Sequence, residues 1–188
     1  MITWIGHATV LIELDGVRII TDPVLRQRVG FLVRHAPKIQ EGWTQRIDAV
    51  LVSHLHRDHL DLPSLKLLKG DPKIIAPLGT IDFLRKVGLS NVQELAVGES
   101  TVIKDIEIWA TLANHGGFRF PFGPSAPALG YVIAGSKRIY FAGDTDIFPE
   151  MQGLGSPLPL DVALLPVGGW GFRLGSGHLN PETATEAL

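Results

Sequence analysis

The chain has 188 residues, of which 45% are hydrophobic and 19% charged, with a formal charge of −2 and no cysteine. That length suffices for one domain with a real core, and the composition excludes disorder. The near-neutral charge argues against a broad phosphate-neutralising surface, so no nucleic-acid partner is expected. Without cysteine there are no disulfides, thiolate metal sites or cysteine nucleophile, and imidazole and oxygen are the only strong metal ligands left.

Taken in chain order, Ile2 to Ile5 is strand-like, with no basic and apolar leader before it. No apolar run approaches the roughly 20 residues that span a bilayer. A cytoplasmic protein without a transmembrane segment is expected, and homo-oligomerisation stays open. Thr9–Leu14 and Val17–Thr21 are β-branched, apolar runs joined by Asp15-Gly16, a strong hairpin signal. Residues 25–47 read as one long irregular loop, the length at which loops are functional or disordered. Its basic residues Arg26, Arg28, Arg34, His35 and Lys38 are best read as a solvated charge run.

Asp48–Ser53 reads as a buried strand and Pro63–Lys69 as a short helix, with Asp61 before it and Gly70 after. A strand over Lys73–Ala76 precedes a helix over Thr80–Val87 that Gly88 closes. Strand-like stretches follow at 91–95, 101–112, 128–134 and 137–142, then a short helix at 146–153 and a buried strand at 160–167. Asn180, Pro181 and Glu182 are good residues for an N-cap, first helical position and positive helix end, so a helix starts at about 181. Strands alternating with single helices predict an α/β (α+β) fold with a mixed sheet, or two packed sheets, and helices outside.

Four potential ligands fall within six residues in His54-Leu55-His56-Arg57-Asp58-His59, after an apolar strand and before a helix. In extended chain His54 and His56 point the same way. A turn after them can swing Asp58 and His59 towards a second point. Such ligands suit Zn²⁺, with Mn²⁺ or Fe as the other metals they fit. A polar turn capping a helix is the bland alternative, and it would leave several buried polar groups to satisfy.

His-x-His-x-Asp-His followed by Leu-Asp resembles the signature of the metallo-β-lactamase-fold superfamily. Trp4-Ile5-Gly6-His7-Ala8-Thr9, Thr21-Asp22-Pro23, Phe141-Ala142-Gly143-Asp144-Thr145 and Gly177-His178-Leu179-Asn180-Pro181-Glu182 resemble one branch of it. That branch contains N-acylphosphatidylethanolamine-hydrolysing phospholipase D and is similar to ascorbate-phosphate lactonases. Asn180 replaces its more usual aspartate. The resemblance implies a single αββα sandwich domain over 1–188. It implies one metal held by His54, His56 and His115 and a second by Asp58 and His59, with Asp144 bridging.

On residues alone, His115 is only a histidine in a glycine-flanked loop, and Asp144 could be a helix cap. Asp22 and His7 are expected to orient ligands rather than bind metal, although either could be purely structural. His178 sits in a glycine-rich loop with Trp170 and Arg173 and reads as proton-donating or substrate-binding. Ser53 reads as strand-end structure.

The resemblance also implies one more strand and a ligand histidine after the last helix, and no histidine follows His178. The expectation is a C-terminally shortened domain whose second site is weaker, completed by water, or supplied by His178 or a neighbouring chain. The expected function is a hydrolase in which a metal-bound hydroxide, oriented by Asp58, attacks a phosphodiester, phospholipid-like, lactone or related ester substrate. A small-molecule or lipid-like partner follows. The alternative is a non-catalytic or weakly active metal-binding module.

Overall fold

The computed structural model describes residues 1–156, 158–167 and 177–187. In chain order the strands and helices are β1 (Ile2–Gly6), β2 (Thr9–Leu14), β3 (Val17–Thr21), β4 (Arg28–Val29), β5 (Leu32–Val33), β6 (Ala49–Leu51), α1 (Leu62–Leu65), β7 (Lys73–Pro77), α2 (Ile81–Lys86), β8 (Val92–Leu95), β9 (Ser100–Ile103), β10 (Ile106–Leu112), β11 (Leu129–Ala134), β12 (Arg138–Phe141), β13 (Val162–Leu164) and α3 (Pro181–Glu186). Six strands form one sheet in the order β1-β2-β3-β6-β7-β8, and five form the other, β13-β12-β11-β10-β9.

The first sheet changes character midway. β1, β2 and β3 pair antiparallel through tight turns, while β3, β6, β7 and β8 run parallel because loops and helices cross over between them. The Asp15-Gly16 turn has both residues at positive φ, 48° and 77°, which the twist of a two-residue hairpin demands. The second sheet is antiparallel except for its edge pair β12 and β13.

Period-two alternation places Val10, Ile12, Ile19, Leu51 and Ile75 of the first sheet against Ile106, Ile108, Tyr131, Ile133 and Phe141 of the second. The outer face of the first sheet buries Leu11, Ile20, Val50 and Ile74 with Leu65 of α1 and Leu84 of α2. On the outer face of the second sheet, Val132, Tyr140 and Ala142 are covered by Leu154, Leu160 and Leu165. This is the α/β metallo-β-lactamase fold, two packed sheets with helices outside.

Three expectations change in detail. The stretch 101–112 is a hairpin, β9 and β10 turning at Lys104, which has φ 53°. Residues 25–47 contain the small β4–β5 hairpin and a 3-10 turn at Glu41–Thr44. The turn after Asp144 is also 3-10, at Pro149–Gly153. Helix α1 is short, capped by Asp61, whose carboxylate accepts from the Ser64 amide. α3 begins where expected, with a capping box between Asn180 and Thr183. Among the described residues no helix is long and apolar enough to cross a membrane.

Candidate metal centre

The candidate residues collect at one end of the sandwich, on the segments that follow β1, β3, β6, β10 and β12. His54 and His56 continue the line of β6, and between them Leu55 points the opposite way and is fully buried. The chain then turns. The amides of His59 and Leu60 both donate to the carbonyl of His56, at 3.1 and 2.8 Å, which brings Asp58 and His59 round to the same cleft. Gly143 has φ 61°, and a Cβ there would lie 2.5 Å from that of Ser53. Glycine is therefore what lets the Asp144 segment approach the His54 segment.

His54, His56 and His115 form one set of converging donors. His54 Nε2 and His115 Nε2 lie 2.9 and 3.2 Å from His56 Nδ1. Their tautomers follow from the partners behind them. The Gly177 carbonyl, which can only accept, faces His115 Nδ1 at 2.8 Å, so that nitrogen carries the proton and Nε2 a lone pair. Ser53 Oγ donates to Asp22 Oδ2 at 2.5 Å and so accepts from His54 Nδ1 at 2.9 Å, leaving His54 Nε2 a lone pair as well. A proton on His56 Nδ1 could serve one of these lone pairs, whereas a divalent cation serves all three nitrogens. The donor set thus fits a divalent metal ion.

Beside it, His7, Asp58 and His59 form a second converging set, and Asp144 with His115 and His178 a third. Asp144 Oδ2 lies 3.1 Å from His59 Nε2 and 3.3 Å from His178 Nε2. Asp22 is fully buried and serves the whole cluster. It accepts from the Ser53 amide at 2.7 Å and from His59 Nδ1 at 2.8 Å in addition to Ser53 Oγ.

The electrostatics divide the imidazoles. Burial holds His54 well below the ordinary histidine range, and His56 and His115 below it, with neighbouring imidazoles adding to the effect. Burial acts the same way on His59, but the charges of Asp144 and Asp22 outweigh it and hold this ring well above that range. Burial pushes the Asp58 carboxyl up, yet the hydrogen bond from His7 and the neighbouring histidines bring it down to about 2. Asp144 is likewise held far below the usual carboxylate range, burial being overcome by His59, His54 and His115.

The cluster floors a cleft of about 790 Å³ whose described walls include Trp4, Val10, Leu165 and Val167. Trp170 and Arg173, expected to bind substrate, lie outside the described residues. Two contributors escaped the sequence reading. Ser53 is no bare strand end but the relay between Asp22 and His54. Arg119 is buried to 6% exposure and donates to the carbonyls of Leu55 and Leu60 at 2.8 and 3.0 Å, gripping both ends of the ligand loop. No local pattern marks either residue. The basic run is only partly free: Arg26 pairs with Asp61 through two bonds of 2.8 and 2.6 Å, and Arg34 donates to the carbonyls of Ile5 and Pro37.

Comparison with known proteins agrees with this fold. The chain is 35% identical over 208 residues to the N-acyl-phosphatidylethanolamine-hydrolyzing phospholipase D 1 of Caenorhabditis elegans, covering 98% of this chain and 58% of that protein. It therefore spans little more than half the length of several curated relatives it matches. A metal-dependent hydrolase of the UPF0173 group from Methanopyrus kandleri is 31% identical over 193 residues, covering 100% of this chain and 77% of the relative. Among solved structures, the metallo hydrolase Igni18 of Ignicoccus hospitalis superposes with a TM-score of 0.78 at 25% identity, covering 99% of this chain and 76% of that one. The family model described as the beta-lactamase superfamily domain matches residues 17–188, and the chain belongs to that superfamily.

Proposed function

We propose that this protein is a metal-dependent hydrolase that holds two divalent ions, zinc by ligand chemistry. Its substrate would be a phosphodiester, phospholipid-like, lactone or related ester. The observation that carries the reading is the convergence of His54, His56 and His115, two of them with lone pairs directed by partners that fix the tautomer. Asp144 stands between that set and the pair Asp58 and His59. In the proposed role these six residues hold the metals, and Asp22 acts behind them as orienter.

Divalent ions in such a site lower the pKa of a water and polarise the substrate's oxygen. The chain's own groups do the rest. Asp58, ionised down to a pH of about 2, is a carboxylate at every working pH and can orient an attacking water. In the proposed mechanism His178, 3.3 Å from Asp144, moves a proton at the leaving group. The apolar wall of Trp4, Val10 and Val167 can take the hydrocarbon part of an ester, which supports a small-molecule or lipid-like substrate. The single-domain organisation over 1–188 is also part of this proposal.

The test is elemental analysis of metal-reconstituted protein, followed by turnover assays on a bis-aryl phosphodiester, a lactone and a thioester. Bound zinc with hydrolysis of at least one probe is the expected result. Bound metal without turnover on any probe would favour a non-catalytic metal-binding module, and absence of bound metal would remove the reading.

A further inference from the structure

We infer that His7 is a direct ligand of the second metal, joining Asp58, His59 and Asp144, and is not merely an orienter behind them. The inference rests on the metal reading above and goes beyond it by assigning the coordinating group of a residue from the opposite end of the sequence.

The geometry carries it. His7 Nε2 lies 3.2 Å from His59 Nε2 and 3.4 Å from Asp58 Oδ2, with the two rings edge-on at 65° and 4.7 Å between centroids. Ligand atoms about 2.0–2.1 Å from a tetrahedral zinc stand roughly 3.3 Å from one another. Both distances match that edge, as does the 3.1 Å between His59 Nε2 and Asp144 Oδ2. His59 presents Nδ1 to the Asp22 carboxylate, which cannot donate, so Nδ1 keeps its proton and Nε2 is the nitrogen that a cation, displacing the second proton, would take. His7 Nε2 faces that nitrogen and a carboxylate oxygen together, the arrangement a shared cation resolves.

The backbone holds the ring there. His7 turns the chain between β1 and β2 at φ 52°, after Gly6 at φ 143°, where the pairing of the two strands slips register. Histidine tolerates this region better than most residues. Trp4 Nε1 donates to the His7 carbonyl at 2.9 Å, and Thr21 Oγ1 donates to the Ala8 carbonyl at 2.7 Å, pinning the turn to β1 and β3. His178 lies 3.3 Å from Asp144 Oδ2 and converges with Asp144 and His115, its ring 4.8 Å from that of His115.

The experiment is titration of metal-free protein with Zn²⁺ and Co²⁺, read by calorimetry and by the Co²⁺ absorption spectrum. Wild type, His7→Ala, His7→Gln and His178→Ala are compared, and circular dichroism confirms that each folds. Wild type should take up two ions. Both His7 variants should keep the first ion at wild-type affinity and weaken the second by roughly 100-fold or more, above the range lost with outer-sphere partners. His178→Ala should leave the second ion within a few-fold of wild type. In zinc-soaked crystals an ion should stand about 2.1 Å from His7 Nε2. Retention of the second ion by His7→Gln, which keeps a hydrogen-bond donor for Asp58, would overturn the assignment. So would a wild type that binds only one ion, at the three-histidine set. A wild type that binds none would overturn the metal reading itself, along with this inference.

Discussion

Asp22 offers two oxygens to three donors, the Ser53 amide, Ser53 Oγ and His59 Nδ1, and does so fully buried at φ 33°. Among the described residues no arginine or lysine pairs with it, so the carboxylate is held by hydrogen bonds and by the imidazole, a costly arrangement outside a functional site. Asp22→Asn replaces one acceptor oxygen by a donor and turns it against a group that already donates. We expect about 2 kcal/mol of lost stability by denaturant unfolding and a 10–100-fold weaker uptake of zinc. A variant with wild-type affinity at both ions would mean that Asp22 only caps its turn. A contact between Asp22 and an imidazole is the expectation from its place beside Pro23, and His59 makes that contact. Ser53 gives no such expectation, because a serine reveals its partner only when Asp22 is folded against it.

At the scale of elements, the ligand loop between β6 and α1 is braced from outside. Arg119, on the segment between β10 and β11, donates to Leu55 and Leu60 and lies over the ring of Phe83, 5.4 Å from its centroid. Burial and then the charge of Arg57 lower its affinity for its proton, with Asp61 opposing, yet a guanidinium stays charged throughout. Arg119→Met keeps the length and removes the donors. It should cost about 2 kcal/mol or more and speed amide exchange over 56–60, while exchange in β7 and β11 stays as in wild type. Equal protection of the loop in variant and wild type would count against the brace. Arg119→Lys should restore part of the loss, since one ammonium can reach one carbonyl. The reading of 101–112 as a single strand failed for a related reason. Lys104 and Asp105 carry no glycine or proline signal, and only the pairing of β9 with β10 reveals the turn.

Across the whole molecule the two sheets are tied by Tyr131, fully buried on β11, whose hydroxyl donates to the carbonyl of Val52 at 2.7 Å, two residues before His54. Tyr131→Phe leaves that carbonyl without this donor and should destabilise the fold by about 1–2 kcal/mol. It should also change the alkaline limb of stability. Burial, with the Asp22 charge adding, holds the Tyr131 phenol well above its ordinary value of 10, and burial pushes Tyr140 up to about 12, with the neighbouring Thr111 opposing. A raised folded pKa means that the native chain keeps a proton the unfolded chain has lost. The stabilisation is therefore complete below pH 10 and is lost as pH rises above it. Urea midpoints between pH 9 and 11 should fall less steeply for Tyr131→Phe than for wild type, and parallel curves would show that the phenol does not contribute.

Local patterns determined a good deal. The period-two alternation of β2 and β3, the Asp15-Gly16 turn, the caps of α1 and α3 and the spacing of His54, His56, Asp58 and His59 are properties of neighbouring residues, and each was legible as such. The union of His7, Asp22, His115 and Asp144 with that loop is not local. It depends on two sheets packing face to face through Ile12, Ile19, Ile108 and Phe141, and on Gly143 letting their ends meet. Family resemblance could anticipate most of those partners as positions, but not their distances or tautomers. Only the packed tertiary structure separates His7, against Asp58 and His59, from His178, against Asp144 and His115. Side-chain direction in turns is set by long-range contact and not by sequence spacing.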